Sequence, residues 1–266
     1  MLYIKMSGSM GKNIVFMTCF ENAPDFLDYK EWCFKTWDYW CKKNDVELII
    51  LQDELRPSGG GVYGDGVGMK PTWQRWHVFD VLDANDVDYE NVALVDVDTM
   101  VHWDCPNFFD EANGEFSAVQ DKFFIEWSHR SIKGYQDFWP DVKFDWTTYF
   151  NCGFIVMNRK HRDFCKTITD FYYQNEDELR DRQHNTLKKG SDQTPVNYMI
   201  RASDYKLNFL SDKFNLSQLH MRGVLQGNLL FETGWVWHFN GFDKTKRNQL
   251  MKDVWNTIKG NYVLKK

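Results

Sequence analysis

Short apolar runs and longer stretches with helical spacing alternate along the first part of the chain. Apolar runs rich in β-forming residues occupy residues 13–18, 46–52 and 91–96, and each predicts a buried strand. Between these runs, residues 25–44 and 71–84 carry apolar side chains three and four positions apart, a spacing that predicts amphipathic helices. The order strand, helix, strand, helix, strand is typical of a doubly wound sheet. The pattern therefore predicts an α/β fold with a Rossmann-like, mostly parallel central sheet flanked by helices.

The second half of the chain has a less regular pattern, but it also alternates strands and helices. Apolar runs predict further strands at residues 116–120, 154–158, 205–210 and 235–239. Helical spacing predicts helices at residues 161–174, 193–201 and 244–259. The sequence shows no internal repeat, and no linker separates its two halves. We therefore expect one compact unit with two lobes.

Composition and charge narrow the range of partners. The chain has 266 residues, of which 43% are hydrophobic, and this is enough apolar material for a sizeable core. Lys and Arg number 32 and Asp and Glu number 38, which gives a formal net charge of −6. Such a balance supplies no basic surface for nucleic acid, so we expect no nucleic-acid partner. A small anionic ligand would need local positive charge or a metal ion to hold it.

The cysteines and the N-terminus bear on the compartment. The six cysteines include no C-x-x-C pair, so zinc spacing is missing and we expect reduced thiols that serve as core residues. The N-terminus lacks the apolar core of a signal peptide, and no apolar stretch has the length of a membrane helix. We therefore expect a soluble cytoplasmic protein, which is compatible with an oligomer. Residues 1–12 are expected to be a flexible N-terminus or a non-native extension.

The most informative segment follows the third predicted strand, where an apolar run ends in Asp96-Val97-Asp98. Residues i and i+2 of an extended chain point the same way, so both carboxylates face one side at the rim of the sheet. Parallel α/β sheets bind their ligands outside the carboxyl ends of the strands. Two carboxylates at such a rim suit Mg²⁺ or Mn²⁺, which one or two carboxylates commonly hold together with substrate phosphates. On these residues alone, two solvated loop carboxylates remain the alternative.

Four further segments occur in the order found in one enzyme family. They are Lys70 in KPTWQRW, YFNCGFIVMN at residues 149–158, SDQTPVN at residues 191–197 and WHFNGFDK at residues 237–244. Together with the D-x-D segment, they resemble the GT-A glycosyltransferases, most closely family eight, which includes glycogenin-like and bacterial galactosyltransferase-like enzymes. The resemblance extends over most of the chain, from about residue 13 to residue 244. It departs from the family where Thr245-Lys246 replaces the Pro-Trp pair that usually follows the last motif.

The resemblance implies a metal-dependent enzyme with a GT-A type fold. It implies that Asp96, Asp98 and His238 hold Mn²⁺ or Mg²⁺ against the diphosphate of a nucleotide sugar, with a UDP-sugar favoured. Imidazole is a normal ligand for Mn²⁺ and is softer than Mg²⁺ prefers. Without the resemblance, a satisfied core histidine is the simpler interpretation of His238, because this residue follows an aromatic strand.

The resemblance also implies which residues bind the nucleotide sugar. Lys70 and Lys244 would supply positive charge to the departing diphosphate, because breaking the sugar–phosphate bond builds negative charge there. Arg75 is a further candidate for the same task. Val97, between the two carboxylates, and Gly241, in the last motif, would contact the donor.

The donor sugar and the chemical step involve three more residues in this family. Asn151, Asp192 and Gln193 would line the donor-sugar site, since amides and carboxylates pair with sugar hydroxyls. Asp192 and Gln193 are the candidates for catalysis near the anomeric carbon, although Asp192 also suits a helix N-cap. Family eight enzymes retain the anomeric configuration. The implied reaction is a retaining transfer, with front-face attack by an acceptor hydroxyl and the departing phosphate as base.

The implied domain is one catalytic unit over residues 13–266, with a nucleotide-binding half at 13–100 and a donor-sugar and acceptor half at 101–266. The acceptor would be a glycan, a lipid or a protein. Aromatic residues in loop-like surroundings suit either an acceptor groove or the core; they are Phe123, Phe124, Trp127, Trp139, Trp146 and Tyr149. The glycine-rich stretch at 57–68 is not a P-loop, because Met69 occupies the glycine position before Lys70, and we expect a mobile loop or a flap over the donor.

Two other functions remain open. A nucleotidyltransferase on a related fold would carry a glycine- and lysine-rich signature after the first strand, and MTCFENAP has neither feature. An inactive sugar-binding protein could retain the fold without the chemistry. The intact Asp96, Asp98 and His238 argue against that second alternative.

Overall fold

The computed structural model describes residues 3–5, 13–23, 25–56, 69–122, 125–187 and 191–263. Its strands are β1 (Tyr3–Lys5), β2 (Asn13–Thr18), β3 (Glu47–Leu51), β4 (Asn91–Val95), β5 (Thr99–Val101), β6 (Phe116–Gln120), β7 (Phe150–Asn158), β8 (Leu207–Leu210) and β9 (Val236–His238). Its α-helices are α1 (Phe26–Glu31), α2 (Cys33–Lys43), α3 (Pro71–Gln74), α4 (Val78–Ala84), α5 (Phe108–Ala112), α6 (Ile125–Tyr135), α7 (Arg162–Gln174), α8 (Glu176–Asp181), α9 (Gln193–Ala202), α10 (Leu229–Thr233) and α11 (Lys244–Ile258).

Seven strands form the central sheet, in the order β1-β3-β2-β4-β7-β6-β8. The neighbours β3, β2 and β4 are parallel, and so are β6 and β8. Within the described sheet, β1 and β7 run against the other five strands. The predicted α/β fold with a mostly parallel sheet is therefore confirmed. A separate antiparallel pair, β5 and β9, lies beside it.

The core has two parts because successive strand residues point to opposite faces of the sheet. Val15 and Met17 of β2 belong to the cluster that includes side chains of α2 and α11. Ile14 and Phe16 belong to the other cluster, with side chains of α4, α7 and α9. All six cysteines are free and buried, which confirms the expectation of reduced core thiols. None of the described helices has both the length and the apolar character needed to cross a membrane.

The reversed strand β7 brings its first residues to the edge of the sheet where β4 ends. Val95 lies opposite Phe154, and the Asp96 amide donates a hydrogen bond to the Gly153 carbonyl over 2.9 Å. The carboxyl ends of β2 and β4 thus meet the amino end of β7 at one edge. Because of this reversal, the D-x-D segment and the YFNCGF segment lie side by side.

Several elements differ from the sequence-based expectation. The helix expected at residues 25–44 is divided into α1 and α2, because the chain departs from helical geometry at Trp32, where φ is −114°. The helix expected at 71–84 contains a 3₁₀ turn, Arg75–His77. Tyr3–Lys5, within the stretch expected to be flexible, pairs with β3 as an edge strand. The glycine-rich stretch at 57–68, together with Phe123 and Phe124, lies outside the described residues.

A buried histidine after β7 should make stability depend on pH. His161 accepts a hydrogen bond at Nδ1 from the Asn158 amide, and its Nε2 has no partner among the described residues. Burial, with a smaller effect of Lys160, lowers the pKa of His161 to about 4. The folded protein favours the neutral ring, so His161 does not reduce the free energy of unfolding above the unfolded-state pKa near 6.5. As the pH falls from there towards about 4, protonation in the unfolded state lowers the free energy of unfolding by about 3 kcal/mol.

The variant His161→Gln cannot titrate in this range, so its free energy of unfolding should fall less steeply with acid. Between pH 7 and pH 4, the difference in unfolding free energy between wild type and variant should narrow by about 3 kcal/mol. Urea unfolding at several pH values measures this difference. Parallel curves over the whole range would contradict the assignment.

Candidate metal and donor-binding site

A cavity of about 380 Å³ opens at the edge where β2 and β4 end and β7 begins. The predicted site residues that line it are Lys70, Arg75, Asp96, Val97, Asp98, Asn151 and His238. Arg247 lines it as well, from α11. Four of the predicted site residues, Asp192, Gln193, Gly241 and Lys244, are not among the lining residues. The cavity therefore brings together most, but not all, of the residues singled out in the sequence.

Two carboxylates and one imidazole converge at the inner part of this cavity. Asp96 and Asp98 follow β4, and His238 is the last residue of β9, which pairs with β5 directly after the D-x-D segment. His238 Nε2 lies 3.6 Å from Asp96 Oδ2 and 3.2 Å from Asp98 Oδ1. One potential ligand atom from each of the three residues lies within 4.8 Å of the others. Two hard oxygens and one imidazole nitrogen suit a divalent ion such as Mn²⁺.

An arginine contacts the opposite oxygen of each carboxylate. Arg75 Nη1 donates to Asp96 Oδ1 over 2.6 Å, and Arg247 Nη1 lies 3.3 Å from Asp98 Oδ2. The oxygens that face His238 are the other two, Oδ2 of Asp96 and Oδ1 of Asp98. A metal ion could therefore take one oxygen from each carboxylate while both arginine contacts remain.

A chain of amides fixes the orientation of the His238 ring. His238 Nδ1 lies 2.9 Å from Asn215 Oδ1, and Asn215 Nδ2 donates to Asn151 Oδ1 over 3.0 Å. Because Asn215 Oδ1 can only accept, Nδ1 carries a proton, and Nε2 is the ring nitrogen that faces the carboxylates and is available to a metal ion once it is deprotonated. This is the usual arrangement behind a metal-binding histidine. Burial opposes protonation of the ring, but the Asp98 and Asp96 carboxylates outweigh burial and raise the pKa of His238.

Gly153 leaves space that the two ligands occupy. A Cβ atom at this position would lie 2.4 Å from His238 Cε1 and 2.7 Å from Asp96 Oδ2. It would also lie 2.8 Å from Asn151 Oδ1. Such separations are far below normal packing distances, so only glycine allows β7 to pass this close to the carboxylate and the imidazole. The glycine of the YFNCGF segment is therefore part of the site.

Asp192 and Gln193, the two predicted catalytic residues, do not line the cavity but form hydrogen bonds with side chains that do. Asp192 is buried, and its Oδ2 accepts hydrogen bonds from Arg75 Nη2 over 2.6 Å and from Trp76 Nε1 over 2.8 Å. Burial opposes the charge on Arg75, but the carboxylates of Asp192 and Asp96 outweigh it and raise the pKa of Arg75. Gln193 Oε1 accepts from Asn151 Nδ2 over 3.0 Å. Both residues thus hold side chains that face the cavity.

The two lysines that the resemblance assigns to the diphosphate have different surroundings. Lys70 lines the cavity; burial lowers its pKa, and the nearby Asp192 carboxylate has the opposite effect. Lys244 is half exposed, and its Nζ forms an ion pair with Asp25 Oδ1 over 2.9 Å. Gly241 has a φ of +78°, the left-handed region that favours glycine. It is not itself a lining residue, although it directly follows Asn240, which is one.

Three residues of the site were not singled out from the sequence. Asn215 lies in a 3₁₀ turn before β9, far from any motif, so no local signal marks it. Arg247 follows Lys244 by three positions, and a helical spacing could have indicated that both share a face of α11. Gly153 belongs to a motif, but its role depends on how closely β7 passes His238.

The aromatic residues considered for an acceptor groove are largely packed against other rings. Tyr149 is buried, and its hydroxyl pairs with Thr194 Oγ1 over 2.7 Å. Trp139 stacks on Tyr198 with ring centroids 5.1 Å apart, and Trp127 contacts Tyr149 edge to face. These described rings therefore contribute to the core around α9.

No protein-family model matches the chain, and no curated protein matches it. Among solved structures, it is similar to a glycosyltransferase involved in the glycosylation of the major capsid of PBCV-1. That match has 9% identity and a TM-score of 0.58, and it covers 91% of this chain and 98% of that chain. The chain is also similar to the galactosyltransferase LgtC in complex with donor and acceptor sugar analogues, at 14% identity and a TM-score of 0.48, over 94% of this chain and 99% of that one. The likeness to the PBCV-1 glycosyltransferase shows that this chain shares the fold of that protein, with the expected mostly parallel sheet and flanking helices.

Proposed function

We propose that the protein is a metal-dependent glycosyltransferase that moves a hexose from a nucleotide-diphosphate sugar to an acceptor hydroxyl. One observation carries this proposal: Asp96, Asp98 and His238 converge at a cavity on the strand edge of a glycosyltransferase fold. The same edge is where α/β sheets bind nucleotides. The cavity volume of about 380 Å³ is also within the range of small-molecule sites.

The donor set favours Mn²⁺ over Mg²⁺, because the site offers an imidazole in addition to two carboxylates. When bound, the ion supplies positive charge that stabilises the negative charge building up on the diphosphate leaving group. The residues support such an ion in two ways. Asn215 holds the His238 ring with Nε2 towards the carboxylates, and Gly153 leaves room for the three ligands to approach one another.

Cationic side chains around the ligands suit an anionic donor. Lys70, Arg75 and Arg247 line the cavity of a protein whose formal net charge is −6. A fixed cation that faces the leaving oxygens stabilises the transition state more than the ground state, since negative charge grows there as the bond breaks. Phe16 and Phe20 add apolar surface to the same cavity, beside the end of β2, which suits the flat face of a nucleobase. A UDP-sugar is the donor that we propose.

For the chemical step, we propose transfer with retention of configuration. The acceptor hydroxyl forms a bond to the anomeric carbon on the face from which the phosphate leaves, and the departing phosphate oxygen takes the hydroxyl proton. Asp192 and Gln193 are proposed to lie near this carbon and to act there by positioning. Asp192 orients Arg75, and Gln193 orients Asn151. The acceptor hydroxyl would belong to a glycan, a lipid or a protein.

Binding of a nucleoside diphosphate should depend on the metal ion and be visible in the melting temperature. With UDP and Mn²⁺ at about 100 times the dissociation constant, the wild type should melt about 5 °C higher than the metal-free protein. UDP with EDTA should give little shift, because the carboxylates then repel the diphosphate. Differential scanning fluorimetry over a panel of nucleoside diphosphates measures this effect. A wild type that shows no shift with any member of the panel would refute the proposal.

A further inference from the structure

The last motif and the helix that follows it present two cations with different roles. Lys244, the residue that the resemblance assigns to the diphosphate, is half exposed and does not line the cavity. Arg247, one turn later on α11, is buried to 8% exposure and does line it. The cationic group nearest to the proposed metal ligands on this helix is therefore the guanidinium, 3.3 Å from Asp98 Oδ2.

Two carboxylate contacts of Arg247 are long for charged groups. Its Nη1 lies 3.3 Å from Asp98 Oδ2, and its Nη2 lies 3.4 Å from Asp25 Oδ2. Charge-assisted hydrogen bonds between arginine and carboxylate usually measure about 2.7–2.9 Å. Arg75, by contrast, forms contacts of 2.6 Å with Asp96 and Asp192. Two carboxylates therefore engage Arg75 closely, whereas the Arg247 guanidinium lies further from its two carboxylate neighbours.

Asp25 contacts both Lys244 and Arg247. This carboxylate is buried and contacts Lys244 Nζ over 2.9 Å, Arg247 Nη2 over 3.4 Å and Asn248 Nδ2 over 3.2 Å. Lys244 therefore has a short contact of its own with Asp25. That contact leaves the lysine charge engaged with Asp25 on the outer side, while Arg247 stands between Asp25 and the D-x-D segment.

We propose that Arg247 is the residue that binds the donor diphosphate on this side of the cavity, and that Asp25 is its positioning residue. Lys244 serves mainly to balance the charge of Asp25. The proposal rests on the proposed function, since it assumes that the cavity takes a nucleoside diphosphate. Arginine suits the task because its planar fork offers paired donors to phosphate oxygens. The fork also lies beside the Asp98 oxygen that faces away from His238.

The test compares Arg247→Gln with Lys244→Gln and with a control on the same helix, Lys246→Gln, whose side chain is 80% exposed. Isothermal titration with UDP and saturating Mn²⁺ gives the dissociation constant of each protein. Arg247→Gln should bind UDP about tenfold more weakly or worse. Lys244→Gln should lose about threefold or less, and Lys246→Gln should match the wild type. Uridine, which has no phosphate, should bind the wild type and Arg247→Gln equally.

The variant Arg247→Lys is a control for a folding defect, because it keeps the positive charge but removes the paired donors of the guanidinium. If Arg247→Gln melts far below the wild type, Arg247→Lys is compared instead and should still weaken UDP without weakening uridine. A larger loss in Lys244→Gln than in Arg247→Gln would overturn the inference and assign the diphosphate to Lys244. UDP affinities within twofold of the wild type in both Arg247 variants would overturn it as well. A wild type that binds no nucleoside diphosphate at all would instead refute the proposed function, and this inference with it.

Discussion

Replacement of Gly153 by alanine should weaken metal binding by about 100-fold or more while leaving the fold intact. The added methyl group would lie 2.4 Å from His238 Cε1 and 2.7 Å from Asp96 Oδ2, so at least one of these proposed ligands must move away. A displacement of about 1 Å removes a ligand from the coordination sphere, because metal–ligand bonds tolerate only about 0.2 Å. We expect the affinity for Mn²⁺ to fall by about 100-fold or more, which exceeds the usual cost of losing a supporting hydrogen bond.

The measurement is Mn²⁺ binding by electron paramagnetic resonance, with the melting temperature as a check on folding. Gly260→Ala is the matched control, since a Cβ atom at that position would meet nothing within 4 Å. The control should bind Mn²⁺ as the wild type does. If Gly153→Ala also bound Mn²⁺ with unchanged affinity, His238 and Asp96 could not both be ligands as proposed.

Asp98→Asn should have an equally large effect through charge rather than space. The amide keeps the shape of the side chain but lacks the negative charge that binds a divalent ion. It also removes a carboxylate that raises the pKa of His238 against the opposing effect of burial, so the apo protein should hold a less basic imidazole. We expect the affinity for Mn²⁺ and the rate of donor cleavage each to fall by about 100-fold or more.

The folded state should survive this substitution, because Arg247 retains its contact with Asp25 and the introduced amide oxygen can still accept a hydrogen bond. Asp104→Asn is a suitable control: its carboxylate is 62% exposed and pairs with Lys43 on the surface, where such pairs contribute little to stability. Titration with Mn²⁺ measures the affinity of each variant, which should fall in Asp98→Asn and stay at the wild-type value in Asp104→Asn. Equal affinities in Asp98→Asn and the control would remove Asp98 from the ligand set.

The sequence was most informative where the chemistry lies on a regular element. Asp96 and Asp98 could be placed on one side of a strand end, because side chains alternate along an extended chain and apolar residues precede the pair. Once the resemblance had linked His238 to this pair, the structure placed its Nε2 3.2 Å from Asp98 Oδ1. The pairing of β5 with β9 explains this proximity, and neither strand-pairing nor its register was visible in the apolar pattern.

Other parts of the site depend on contacts between distant segments and could not be predicted locally. Asn215 acts on His238 from a turn that carries no motif. The roles of Lys244 and Arg247 depend on Asp25, a buried residue from the start of the chain that no spacing rule connects with α11. The division of the predicted helix at Trp32, likewise, could not be predicted from the apolar spacing, because the spacing continues unbroken through α1 and α2.

We propose that this protein cleaves a nucleotide sugar with the help of a metal ion held by Asp96, Asp98 and His238. The most direct test measures release of nucleoside diphosphate from a panel of nucleotide sugars, with the wild type and Asp98→Asn in the presence of Mn²⁺ or EDTA. We predict release from at least one donor by the wild type with Mn²⁺, loss of release with EDTA, and a decrease of about 100-fold in Asp98→Asn. A folded wild type that releases no nucleoside diphosphate from any donor, or releases it equally with EDTA, would refute the proposed metal-dependent transfer.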